Sequence, residues 1–73
     1  MQAQDVIRYM VDTCGKSQRE ISRDLGKSDT YIGSSLAQGS KPTLDLVARV
    51  ARATGYRLIL EGSDGARFPI DAD

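Results

Sequence analysis

Apolar residues recur at helical spacing through most of this chain and alternate near its end, so the pattern predicts helices followed by strands. Val6, Ile7, Met10 and Val11, with Cys14 continuing the stripe, leave Asp5, Arg8 and Asp12 on the other side. This predicts an amphipathic helix from about Ala3 to Thr13, ended by Gly15. A shorter apolar edge follows at Ile21 and Leu25, one turn apart. Ser17 precedes it as an N-cap, Glu20 completes a capping box, and Gly26 stands where a residue of positive φ ends a helix. Ser28 restarts a helix at once, predicted over about Ser28 to Gln38 with Ile32 and Leu36 as anchors.

Gly39-Ser40-Lys41-Pro42 breaks the helical pattern, because proline and the residue before it both disfavour continuation. Thr43 is placed to cap a fourth helix, with Asp45 in its first turn. Leu44, Leu46, Val47, Ala48, Val50, Ala51 and Ala53 give that helix a broad apolar surface before Gly55, which predicts the central packing element. Tyr56, Leu58 and Leu60 then alternate with Arg57, Ile59 and Glu61, and Ala66, Phe68 and Ile70 resume the alternation after the turn signal Gly62-Ser63-Asp64-Gly65. A β-hairpin over 56–70 is expected, with Pro69 confining the second strand to an edge. Because an isolated hairpin is marginal in water, Leu58 and Leu60 are expected to cover the helices while an edge or the other face joins a second subunit. Tyr56, Leu58, Ile59, Leu60 and Phe68 are the candidate dimerisation residues, and Asp71-Ala72-Asp73 reads as a frayed acidic end. The expected fold class is mainly α, a four-helix bundle (1–55) of lambda-repressor-like, helix-turn-helix type followed by a C-terminal β-hairpin, all in one domain spanning 1–73.

Composition narrows the chemistry. Seventy-three residues suit a single domain that buries only about 60% of the surface its unfolded chain exposes. One cysteine and no histidine exclude an intramolecular disulfide, a histidine metal site and a catalytic histidine, which leaves self-association as the favoured supplement to stability. Cys14 is read as a small packing residue, and the acids are scattered along helix faces and the tail, so no enzyme, metal, cofactor or small-molecule ligand is expected. No secretory signal or long apolar run is visible, which implies a cytoplasmic protein with no membrane partner.

A formal net charge of zero argues mildly against nucleic acid, because phosphate binders are usually basic. The distribution weakens that objection. Lys16, Arg19, Arg23, Lys27 and Lys41 outnumber Glu20, Asp24 and Asp29 between Gly15 and Lys41, and Arg49, Arg52 and Arg57 oppose only Asp45. The segment after Arg57 is acidic, so the basic part of the chain is its middle.

A capped helix, a glycine turn and a second helix carrying Ser, Thr, Tyr and Gln is the sequence form of a helix-turn-helix. From about Gly15 to Tyr56 the chain resembles the Cro/C1-type, or xenobiotic-response-element, helix-turn-helix family of phage repressors, bacterial regulators and antitoxins. The matching residues are Ser17-Gln18, Ile21, Leu25, Gly26, Ile32, Gln38-Gly39 and Pro42-Thr43-Leu44 leading into a Leu-Val-Ala-Arg-Val-Ala helix closed by Gly55. Two departures stand out: the family often has alanine where Ser22 stands, and it commonly has Glu before Arg-Gly where this chain has Ala37-Gln38-Gly39, with the interval from Ile32 to Gly39 one residue longer.

The resemblance implies that the second motif helix enters the DNA major groove, N-terminal residues nearest the bases. By position, Gln18 contacts a phosphate or braces the recognition helix, and Ser28 and Thr30 donate to phosphates or base edges. Tyr31 reaches a phosphate or a thymine methyl, Ser34 stays on the face of Thr30, and Ser35 and Gln38 lie further along. Arg19, Lys27 and Lys41 are the phosphate candidates. Alternatives remain for several of these: Ser28 as an N-cap, Tyr31 as a packing residue, Asp29 as a first-turn dipole partner or a cytosine reader. Gly33, which costs about 1 kcal/mol relative to alanine inside a helix, implies a close approach either of DNA or of the neighbouring helix. The implied function is a sequence-specific transcriptional regulator, a nucleoid-associated homodimeric repressor on double-stranded DNA with a palindromic operator. The alternatives are an antitoxin that binds a toxin and autoregulates, and a phage architectural or recombination-directionality protein.

Overall fold

Two of the helices begin at the caps their sequence supplies in the computed structural model, which describes residues 1–39 and 41–72. The elements in order are α1 (Ala3–Thr13), α2 (Gln18–Asp24), α3 (Tyr31–Gln38), α4 (Leu44–Thr54), β1 (Leu58–Glu61) and β2 (Arg67–Ile70). Ser17 Oγ accepts the Glu20 N–H at 3.1 Å while the Glu20 carboxylate accepts the Ser17 N–H at 3.5 Å, a capping box at the head of α2. Thr43 Oγ1 accepts the Leu46 N–H at 3.1 Å at the head of α4. Ser40, in the predicted break, and Asp73, at the predicted acidic end, lie outside the described residues.

The turn between α2 and α3 is a Schellman closure. Gly26 has φ +73°, its N–H donates to the Arg23 carbonyl at 2.9 Å, and the Lys27 N–H donates to the Ser22 carbonyl at 3.0 Å. The chain then takes one further turn before α3 begins. The Tyr31 N–H donates to the Ser28 carbonyl at 3.0 Å, so Ser28, Asp29 and Thr30 precede the helix that was expected to start at Ser28. Ser28 is therefore not the side-chain cap of α3, and Thr30, at the N-cap position, makes no side-chain cap bond either. The cap comes from the neighbouring helix. Ser22, fully buried, donates its hydroxyl to the Gln18 carbonyl at 2.8 Å and accepts the Ile32 N–H at 3.1 Å. One buried backbone donor of the first turn of α3 is thus satisfied from α2, and a local cap is unnecessary.

Ile7, Met10 and Val11 of α1, Ile21 of α2, Ile32 and Leu36 of α3, and Val47, Val50 and Ala51 of α4 form the core. α4 also buries Ala48 and Thr54, in keeping with its expected central place, although Leu44 at its first position stays exposed. Cys14 packs half-buried against the core with its thiol donating to the Val11 carbonyl at 3.5 Å. Among the described residues no buried side-chain polar atom lacks a partner, and no helix is long and apolar enough to cross a membrane.

The antiparallel hairpin pairs Leu58 with Ile70, Ile59 with Pro69, Leu60 with Phe68 and Glu61 with Arg67. Directly opposed residues share a face, so Leu58, Leu60, Phe68 and Ile70 line one side. Leu58 packs against the core, but Leu60 does not cover the helices as expected; it is 60% exposed, beside Phe68 at 57%. Each strand residue advances about 3.3 Å, and the two steps from Leu58 to Leu60 carry the strand past the bundle. The resulting molecule is elongated, 41 × 23 × 21 Å. Tyr56 lies before the strand and not in it. Its hydroxyl hydrogen-bonds Thr13 Oγ1 at 2.8 Å and its ring meets Tyr9 edge-on, centroids 6.2 Å apart, so this dimerisation candidate is engaged by α1 of its own chain. The cause is local: the Tyr56 N–H is tied back to the Ala51 carbonyl at 2.8 Å, which holds the residue beside the helices.

Replacing Ser22 with alanine should lower the unfolding free energy by about 1–2 kcal/mol, because it strands a buried backbone donor. Urea titrations should show a reduced midpoint at unchanged slope, whereas Thr30→Ala, which removes no cap, should stay within about 0.5 kcal/mol of the parent.

Candidate nucleic-acid interface

α3 is short, and its two sides differ in kind. Ile32 and Leu36 are buried, while Thr30, Gly33, Ser34 and Ala37, spaced at helical intervals of three and four, face a shallow open groove of about 480 Å³. Gln18, Arg19 and Asp29 complete its wall. The floor is made of small residues, so a rigid partner can approach the backbone of α3 closely, and the Thr30 and Ser34 hydroxyls supply donors and acceptors along one line.

Gln18, the first residue of α2, leans on that floor: its Oε1 lies 3.0 Å from where a Cβ on Gly33 would sit. One of the two close approaches expected of Gly33, that of the neighbouring helix, is thus present, and a Cβ here would require the end of Gln18 to shift. At the other end of α3 the Gln4 amide donates to the Leu36 carbonyl at 3.1 Å, tying the helix to α1.

Asp29 is neither a plain first-turn dipole partner nor an open base reader. Its Oδ1 accepts from Arg23 Nε at 2.8 Å, and its Oδ2 accepts from Arg19 Nε at 2.9 Å and Arg23 Nη2 at 3.2 Å. The hydrogen bonds from Arg23 and then Arg19 hold its carboxyl down from the ordinary 3.8 to about 2. Arg19, expected as a free phosphate partner, thus has its Nε committed to Asp29. Arg23, which the pattern of apolar positions did not flag, is the second arginine of this cluster. The signal was nevertheless present: Arg19 and Arg23 are one helical turn apart, where like charges repel unless an anion lies between them.

The remaining candidates fall elsewhere. Tyr31, Ser35, Gln38 and Lys41 line a second groove of about 350 Å³ together with Ile7 and Leu46. Residues 31, 35 and 38 sit about 100° around the helix from 30, 34 and 37, so one helix cannot present both sets in one direction. Tyr31 packs partly against the core, and the Lys27 ammonium lies over its ring, 5.6 Å from the centroid. Lys27 and Tyr31 together line a third hollow with Leu25, Thr43 and Leu46, and Ser28 is exposed in the turn beside Lys27. Lys16 is occupied away from both, donating to Asp24 at 2.9 Å and to the Ala53 carbonyl at 3.0 Å.

The chain matches no protein-family model, no curated protein and no solved structure. What distinguishes the α2–α3 surface is its construction: a face of small residues carrying two hydroxyls, on a helix whose opposite side is buried and whose first turn is capped from outside.

The depressed acidity of Asp29 has a definite pH signature. Between 3.8 and about 2 the unfolded chain binds a proton at this position and the folded chain does not, so stability falls with falling pH across that window and is complete above it. Asp29→Asn should flatten this part of the profile of urea midpoint against pH while leaving its neutral part nearly level.

Proposed function

We propose that the chain is a sequence-specific DNA-binding transcriptional regulator that lays α3 in the major groove as one half of a homodimer. The observation that carries this reading is the outer face of α3, where Thr30, Gly33, Ser34 and Ala37 form an open strip edged by Gln18, with Ile32 and Leu36 buried on the other side. A major groove about 12 Å wide admits a helix, and small side chains bring its backbone near the base edges. Thr30 and Ser34 hydrogen-bond to base edges, and the Ala37 methyl suits a thymine methyl. Lys27, beside the turn, and Lys41, beyond the far end of α3, meet phosphates and set the register of the helix.

The hairpin supports the dimer. Leu60 and Phe68 are opposed on one face and both are mostly exposed, and Ile59 on the other face is 45% exposed. Apolar side chains in that arrangement, on a two-stranded sheet with free edges, are suited to cover by a second copy. A symmetric pair places two α3 helices on half-sites about one helical turn apart, and on an operator it represses by occluding polymerase.

Selection of bound sequences from a random duplex pool tests the reading, with a symmetric motif as the expected result and equal affinity for selected and random duplexes as the refuting one. Thr30→Ala or Ser34→Ala should change preference among selected sequences by about 1–3 kcal/mol where a base contact is lost, whereas Lys27→Ala should weaken all sequences alike and reduce the salt slope by about one. For the hairpin, Leu60→Asp should sediment as a folded monomer with weakened operator binding. A folded variant that remains dimeric would place the subunit interface elsewhere.

A further inference from the structure

We infer that Asp29 is a specificity-determining residue that acts by restraint: it holds Arg19 and Arg23 in one ion-paired cluster at the wall of the α3 groove and so withholds two guanidinium groups from the phosphates of non-cognate DNA. The inference rests on the DNA-binding reading and adds to it a means of discrimination.

Three features of the cluster lead to this conclusion. Both oxygens of one carboxylate are consumed by two arginines on successive turns of α2, with three contacts between 2.8 and 3.2 Å. The cluster is open to solvent, Asp29 at 39% and the arginines at 66% and 60% by side chain, and exposed ion pairs add little to stability, so folding alone gives a weak reason for the arrangement. Finally, Arg19 and Asp29 line the same groove as Thr30 and Ser34, which is where the sugar–phosphate backbone flanking a groove-bound helix runs.

The chemistry follows from competition for the same nitrogens. A phosphate oxygen and a carboxylate oxygen both seek the Nε and Nη edges of guanidinium, and a built-in carboxylate occupies them without any loss of freedom on binding. Each cation that does reach a phosphate strengthens binding to every sequence equally and steepens the salt dependence by about 0.9 in the log–log slope. Two arginines removed from that sum leave the base contacts of α3 as a larger share of the affinity. The restraint is unequal: Arg23 is held through two nitrogens and Arg19 through Nε alone, so Arg19 is the one that a well-seated phosphate can recruit.

The test compares the parent, Asp29→Asn and the triple variant Arg19→Gln/Arg23→Gln/Asp29→Asn, each checked for helical content by circular dichroism. Each is titrated with a random-sequence duplex and with the duplex recovered by selection, over a range of salt. With the restraint acting as inferred, Asp29→Asn binds the random duplex about tenfold or more tightly at low salt, with a slope steeper by about two, and its preference for the selected duplex shrinks. The triple variant returns to the parental slope, because the arginines it lacks were not engaged. A folded Asp29→Asn with unchanged slope on the random duplex overturns the inference and leaves the DNA-binding reading standing. So does Asp29→Asn that loses the selected duplex without gaining the random one, since Asp29 would then be a base reader. If Asp29→Asn does not fold, the triple variant alone decides: a slope about two lower than the parent means the arginines already contact phosphate, which overturns the inference, and an equal slope supports it. Failure of every variant, the parent included, to bind any duplex removes both readings together.

Discussion

One buried hydroxyl joins the two helices on which everything else depends. Ser22 is held in place by the carbonyl of Gln18 on its own helix and gives its oxygen to the Ile32 N–H on the next. Without it the first turn of α3 would need a cap from its own leading residues, and those residues are otherwise used: Ser28 closes a backbone turn, Asp29 faces two arginines, and Thr30 lines the groove. A cap supplied from α2 thus frees three polar residues at the entrance of α3 for surface duty. It also fixes α3 to α2 by a bond with a preferred direction, which apolar contact between Ile21 and Ile32 alone does not provide.

Neutrality of the whole chain is the sum of local pairings and not the absence of charge. Lys16 with Asp24 ties the start of α2 to the end of α4, Arg49 pairs with Asp45 along α4, and Arg67 pairs with Glu61 across the hairpin. These pairs lie away from the α3 groove. Near it the cluster at Asp29 keeps one positive charge in excess, and Lys27 stands over an aromatic ring. Around α3 the Asp29 cluster and Lys27 leave a local positive balance, while Arg8, Arg52 and Arg57 carry positive charge elsewhere.

The elements set by neighbouring residues were legible in the sequence. The bounds of α1, the capping box at Ser17, the Thr43 cap, the glycine after Leu25 and the hairpin turn each depend on contacts within about five residues, and all form as expected. What was not legible is long-range. Ser22 looked like a tolerable replacement for alanine because its partner Ile32 sits ten residues away across a turn. The later start of α3 goes with the extra turn that the Tyr31 N–H closes on the Ser28 carbonyl. Leu60 alternates correctly with its neighbours, yet periodicity reports which face a residue occupies and not how far the strand outruns the bundle. Tyr56 continues the alternation of Leu58 and Leu60, but its contacts with Tyr9 and Thr13 reach a helix at the opposite end of the sequence and leave no mark in the local pattern. The site was legible as a set of residue types, but its division into two grooves was not, since it turns on the angular offset between residues 30, 34, 37 and residues 31, 35, 38.

The tyrosines have a consequence of another kind. The chain has no tryptophan and three tyrosines, and each is at a joint. Tyr9 and Tyr56 meet where α1 touches the root of the hairpin, and Tyr31 lies beneath Lys27 at the entrance of α3. Intrinsic ultraviolet emission from this molecule therefore originates only at the hairpin root and at the groove-facing motif. Changes at the hairpin root or at the start of α3 can therefore be followed in the native sequence with no label.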